Sequence, residues 1–233
     1  NTDTTETEVN SNTKINADGK TGTLKDAQGN SYAIVKIGNQ WWMAENLKAT
    51  TYNDGTAIPN VTDATAWAAL TTGAYCDYDN STANGTKYGH LYNWYAVNTG
   101  KLAPAGWHVP TDAEWITLQN YLIANGYNYD ATTIDNKIAK ALAAKTDWNT
   151  STTTGVIGNN LTLNNSTGFS ALPGGFSTNA GSFYGLGNTG YWWSATELST
   201  DIAWNRNLNS SNTNLRSYND NKHCGSSVRC VRD

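Results

Sequence analysis

Apolar and polar positions alternate most cleanly between the turn signals Gln28-Gly29-Asn30 and Gly38-Asn39. There Ser31–Ile37 sets Tyr32, Ile34 and Lys36 on one face and Ala33, Val35 and Ile37 on the other. A period of two predicts a strand, and the Gly38-Asn39 turn makes Gln40-Trp41-Trp42-Met43-Ala44 its hairpin partner. The period changes after Gly106-Trp107-His108-Val109-Pro110. Pro110 holds Val109 extended, and Thr111 stands three residues before Glu114, the spacing at which the two side chains satisfy each other's orphaned N–H groups. The helix that follows carries Trp115, Leu118 and Leu122 on one stripe, with Ile123 beside it and Gly126 as its stop.

Weaker patterns fill the rest. Asp63 or Thr62 caps a short helix with Ala66, Trp67 and Leu70, closed by Gly73. Ala74-Tyr75-Cys76 is a short apolar run, and the stretch from Asp77 through Asn84-Gly85 reads as a polar loop. Leu91, Trp94 and Tyr95 predict a brief helix before Gly100, and a further helix is expected from about Thr132, with Ile134, Ile138 and Leu142 aligned. Residues 147–163 are mostly Thr, Asn and Gly, hence loop. Short extended segments follow at Tyr191-Trp192-Trp193, Ile202-Ala203-Trp204, Asn214-Leu215-Arg216 and Val228-Arg229-Cys230-Val231. A hairpin, then helices, then strands predict an α+β domain with small antiparallel sheets, two or three helices and long irregular loops. The N-terminal hairpin and the last strand are expected to pair. Residues 1–22 hold hardly an apolar side chain and read as a polar linker or arm, leaving residues 23–233 as a single domain.

Composition narrows the function classes. The chain has 233 residues, enough for a sizeable core, with 10 Trp and 13 Tyr against 3 Phe, rings that suit either a loop-rich interior or a binding surface. Only 15% of residues are charged and the net charge is −4, so the cationic footprint that nucleic acid requires is missing. No apolar run is long enough for a membrane span. The abundance of Asn, Ser, Thr and Gly suits an exported protein. The 3 cysteines, Cys76, Cys224 and Cys230, fit one bridge and a leftover thiol.

The residues that carry chemistry are few. Asp77, Asp79 and Asn80 offer clustered oxygens for calcium, the one cofactor the sequence suggests, and Asn219, Asp220 and Asn221 offer a second group; neither follows the helix–loop–helix calcium pattern. His223-Cys224 is too short a spacing for zinc, and no Gly-x-Ser-x-Gly occurs. Asp112 and Glu114 suit the first turn of a helix better than a pair of glycosidase carboxylates. The expected ligand surface is the last third, where Trp204, Arg206, Asn207, Asn209, Asn214, Arg216 and Tyr218 mix rigid rings with amides and cations. Alternation puts Trp204, Arg206 and Leu208 on one face and Asn205, Asn207 and Asn209 on the other, so whichever face is covered, the opposite set is expected to meet the ligand.

Motifs in a fixed order resemble those of the Fibrobacter succinogenes major paralogous domain. They are Gln40-Trp41-Trp42-Met43-Ala44-Glu45-Asn46-Leu47, Tyr88-Gly89-His90-Leu91-Tyr92-Asn93-Trp94, Gly106-Trp107-His108-Val109-Pro110, Gly168-Phe169-Ser170-Ala171-Leu172-Pro173-Gly174-Gly175, Tyr191-Trp192-Trp193-Ser194 and Val228-Arg229-Cys230-Val231. The resemblance implies a C-type-lectin-like fold related to formylglycine-generating sulfatase-modifying enzymes. It also implies a bacterial, exported protein, extracellular or at the cell surface, commonly as a lipoprotein. Ala103 stands where family members often carry a cysteine, which leaves Cys224 with Cys230, Cys76 with Cys230, or Cys76 with Cys224 as pairings, the first favoured because Gly225-Ser226-Ser227 can turn. The expected function is non-enzymatic recognition of a glycan or a surface protein. The alternatives are a self-assembling subunit of a filament or adhesin layer and an oxidase using Cys224 and Cys230.

Overall fold

The computed structural model describes residues 7–232. Its strands and helices run β1 (Thr7–Asn10), β2 (Thr13–Ile15), β3 (Thr21–Lys25), β4 (Ser31–Ile37), β5 (Gln40–Met43), α1 (Ala64–Ala68), β6 (Tyr75–Cys76), α2 (Thr82–Tyr88), β7 (Leu91–Tyr92) and α3 (Trp94–Asn98). They continue with α4 (Asp112–Ala124), α5 (Ala139–Leu142), β8 (Gly174–Ser177), β9 (Phe183–Leu186), β10 (Thr189–Glu197), β11 (Ile202–Asn209), β12 (Arg216–Asn221) and β13 (Val231–Arg232). The architecture is α+β, as the pattern predicts, with sheets larger than expected. A six-stranded sheet has the order β1-β2-β3-β4-β5-β13 and a five-stranded one β12-β11-β10-β8-β9. Pairing is antiparallel except between β8 and β10. Among the described residues no helix is long and apolar enough to cross a membrane.

The β4–β5 hairpin divides the interior, because both of its faces are covered. Tyr32, Ile34, Trp41 and Met43 point into a cluster with Trp94, Trp107 and Trp193. Val35, Ile37 and Trp42 point into a second cluster with Trp115, Leu118, Leu122, Phe169 and Trp192. Trp42, Trp115 and Phe169 meet there, the two indoles 4.7 Å apart between centroids and Phe169 at 5.8 Å from Trp42. The proline corner therefore sends Trp107 to one cluster and Trp115 to the other. The predicted capping box is formed, with Thr111 accepting from the Glu114 N–H and Glu114 accepting from that of Thr111. Asp63, not Thr62, caps α1, and β13 pairs with β5 through Val231 opposite Trp42.

Several expectations give way. Residues 1–6 lie outside the described residues, but from residue 7 the expected polar arm is the outer half of the six-stranded sheet, and the expected boundary at residue 22 falls within β3. Backbone pairing holds this part, helped by the Trp107 indole donating to Thr13 Oγ1 at 3.2 Å and Asn12 to the Ala105 carbonyl at 3.0 Å. The helix expected from Thr132 shrinks to α5. Asp130 accepts from the Thr132 N–H and Asn128 from the Lys137 N–H, local bonds that compete with a helical ladder. Ile134 is consequently 66% exposed. Conversely, Asn84-Gly85 lies within α2 and not in a loop, since Gly85 is there for close approach: a Cβ would stand 2.0 Å from Asp77 Oδ1. The brief helix expected from Leu91 divides into β7 and α3.

Candidate functional site

Alternation along the five-stranded sheet brings aromatic rings from separate strands onto one face. In register, Tyr191 of β10 lies opposite Asn207 of β11, which lies opposite Arg216 of β12; Tyr218 of β12 lies opposite Asn205. On the other side of β10, Phe176 of β8 pairs with Tyr184 of β9. Residues opposite one another share a face, and the rings follow as a row. Tyr218 meets Tyr191 at 6.4 Å between centroids, Tyr191 meets Phe176 at 4.8 Å, and Phe176 meets Tyr184 at 6.1 Å. The ends of the row are open, with Tyr184 57% and Tyr218 44% exposed, while Phe176 and Tyr191 are half-buried between them. The Arg216 guanidinium lies 5.9 Å from the Tyr218 ring centre.

Polar groups line the same face. Asn205 Nδ2 donates to Asp220 Oδ2 at 2.7 Å. Burial holds the Asp220 carboxyl above its ordinary range despite that bond. Burial, with Asp220 and Tyr218 nearby, pushes the Tyr191 phenol up to about 12. The face thus offers amphipathic rings, a half-buried carboxyl and a guanidinium, while the Asn205 and Asn207 amides are buried and spent on internal bonds; this suits noncovalent contact with a ligand that has both apolar and hydroxylated surfaces.

The residues expected to form the ligand surface separate. Arg216 and Tyr218 are exposed on this face. Asn207 shares it but is 3% exposed and donates to the Gly190 carbonyl. Trp204 and Arg206 point to the opposite face. Trp204 is half-buried there, opposite Asn219. Arg206 is 1% exposed, its guanidinium 2.5 Å from Asp112 at the start of α4. Asn209 ends β11 and accepts from the Ser211 N–H, and Asn214 is half-buried in the turn before β12. Neither face of β11 is free at its centre, where Asn205, Arg206, Asn207 and Leu208 are all buried and α4 packs on one side. Phe176, Tyr184 and Tyr191 were missing from the expected set. The turn Asn179-Ala180-Gly181 between Gly174-Gly175-Phe176-Ser177 and Phe183-Tyr184 was the signal that would have revealed their hairpin.

The other chemical candidates disperse. Asp77 is buried and bound to His90 Nδ1 at 2.6 Å. Asp79 and Asn80 are exposed on the next turn, both in the left-handed region, with the Asn80 amide donating to the Thr62 carbonyl. Asn219 and Asp220 face opposite sides of β12, so they do not converge either. Cys224 and Cys230 do not form the favoured bridge: all three cysteines are buried free thiols. Burial, with Asp220 nearby, pushes the Cys224 thiol up to about 12, and burial raises Cys76 and Cys230 as well.

No curated protein and no solved structure matches the chain. The sequence model of the Fibrobacter succinogenes major domain matches residues 35–232, from within β4 to the end of β13. By that match over most of its length, the chain belongs to the Fibrobacter succinogenes major domain family.

Proposed function

We propose that this protein is a non-enzymatic recognition domain, exported to the cell surface or beyond, whose aromatic row binds a glycan. The carrying observation is the run of Tyr218, Tyr191, Phe176 and Tyr184 across the five-stranded sheet, open at both ends. Sugar rings present apolar C–H faces that stack on such plates, and their hydroxyl edges suit the Arg216 and Asp220 groups beside them. Rigid tyrosines lose little conformational entropy on binding. The C-type-lectin-like relationship implied by the sequence motifs is consistent with such a role. Raised thiols favour this reading over the oxidase, since that chemistry needs an accessible thiolate.

A glycan array followed by titration of the best binder tests the proposal. Tyr184→Ala and Tyr218→Ala should each weaken binding about 5- to 30-fold, the effect of losing one contact ring worth 1–2 kcal/mol, with little change in melting temperature. Silence across a broad array, or binding indifferent to both substitutions, overturns it. A second reading, self-assembly, draws on the outer strands β12 and β9, which end the five-stranded sheet. Sedimentation of native material distinguishes the two, since a recognition domain stays monomeric as concentration rises.

A further inference from the structure

A separate concavity of about 340 Å³ lies away from the aromatic row and shares no residue with it. Ala44, Tyr88, Ala144 and Leu172 give it an apolar floor, and Lys48, Lys87 and Lys145 stand around it with Glu45. Lys87 is paired with Asp147, and Lys48 lies 3.9 Å from Glu45. Lys145 is exposed and has no ion pair among the described residues. Behind the wall lies Arg229, 0% exposed. Its guanidinium donates to Asn46 Oδ1 at 2.9 Å, to the Met43 and Phe169 carbonyls and to the Ser170 carbonyl at 2.9 Å. Every one of these acceptors is neutral, and Asn46 and Ser170 themselves line the cavity. The fold therefore keeps a buried guanidinium, with no carboxylate among the described residues hydrogen-bonded to it, behind the wall of a pocket whose remaining unpaired charge, on Lys145, is also positive. Glu45 at the cavity rim is the one such carboxylate that acts on Arg229, at a distance and without a hydrogen bond to it, and it also lies beside Lys48. A buried charge so incompletely matched is costly, and an anion in the cavity would offset it.

We infer that this cavity is a binding site for a small carboxylated sugar, such as a hexuronate residue. Its size suits a single sugar ring. The apolar floor matches the ring's C–H face, Thr146 and Asn165 supply polar contacts at the wall, and the carboxylate takes the place near Lys145 where positive charge is unmatched. This inference does not depend on the aromatic row, and either site can fail without the other.

Calorimetric titration with glucuronate, using glucose as the neutral analogue and inorganic sulfate as a bare anion, tests the assignment. Glucuronate should bind about tenfold or more tightly than glucose, and raised ionic strength should weaken it. Lys145→Ala should weaken glucuronate binding about fivefold, and Lys145→Glu should remove it, as expected for a charge at a pocket mouth. Lys145 is exposed, so both variants should keep the wild-type near-ultraviolet circular dichroism, and Tyr184→Ala should leave glucuronate binding unchanged. Equal binding of glucose and glucuronate, no binding of either, or indifference to Lys145→Glu overturns the site. Sulfate binding as tightly as glucuronate would overturn the sugar assignment, because a bare anion uses none of the apolar floor.

Discussion

Removing the Asp112 carboxylate should cost this fold more than its position in the first turn of an exposed helix suggests. Asp112 is the only carboxylate paired with Arg206 among the described residues, and the guanidinium's side chain is 1% exposed against 25% for Asp112. In Asp112→Ala the Arg206 Nη1 retains Ser217 Oγ and its own strand's Asn205 carbonyl, both at 3.2 Å and both neutral. Stranding one member of a buried pair costs about 3–5 kcal/mol. Water reaches the Asp112 side, which places the loss near the lower end, about 3 kcal/mol, including a few tenths from the helix dipole. For a domain of this size that corresponds to a melting point lower by roughly 6–12 °C. Arg206→Met removes the charge and keeps an aliphatic side chain over Leu208 and Trp192, so Asp112→Ala should cost much less in that background. Urea denaturation followed by tryptophan fluorescence gives all four corners of the cycle, with a coupling of about 1–3 kcal/mol expected. Losses that add to within about 0.5 kcal/mol would refute the pairing argument.

Other outcomes follow from the same geometry. Trp115→Ala should cost about 3–5 kcal/mol, because it opens a cavity against Trp42 and Phe169; a chemical denaturation midpoint near that of the wild type would contradict the two-cluster core. Burial tends to raise the Glu114 carboxyl, but the Thr111 N–H, the Thr111 hydroxyl and His108 outweigh it and hold the carboxyl below 4.5. A depressed folded value stabilises above the unfolded one and is lost as pH falls through the folded one, so the advantage of wild type over Glu114→Gln should shrink on acidification below about 4.5. Lys140, 6% exposed, donates to the carbonyls of Val156, Ile157, Asn159 and Asn160. Lys140→Met should leave these acceptors unmatched, cost about 1–3 kcal/mol and speed amide exchange in residues 155–160. A thiol reagent should react slowly with the native protein and count 3 thiols once it is unfolded; a lower count under non-reducing conditions would restore a bridge.

What the sequence made legible is what short-range periodicity encodes. The β4–β5 hairpin and α4 each carry their own turn or cap, and both stand where expected. Strands β1 and β2 were hidden because backbone pairing, of β1 with β2 and of β2 with β3, orders a stretch whose sequence is mostly polar. The segment from Thr132 shows the opposite error: the spacing of Ile134, Ile138 and Leu142 suits a helix, but Asn128 and Asp130 bind the local backbone first, and only Ala139–Leu142 is helical. For the site, alternation along β11 separates Trp204, Arg206 and Leu208 from Asn205, Asn207 and Asn209, as the register has it, but it cannot show that both faces are covered at the centre of this strand. Buried asparagines look solvent-facing in a sequence, and only the tertiary bonds to Asp220 and Gly190 explain them. Tyr218 and Arg216 were found because an outer strand leaves its rings and cations in water.

The pairing of β5 with β13 places residues 41–42 beside residues 231–232. A chain that emerges from its N-terminal side can form the β4–β5 hairpin early, but the strand that completes the edge of that hairpin is made only after every element from α1 to β12. Until it arrives, the β5 edge and the indole of Trp42 remain open to other strands. Closure of so long a loop makes folding slow, and truncation before residue 228 should yield a sticky, partly ordered species rather than a smaller stable domain.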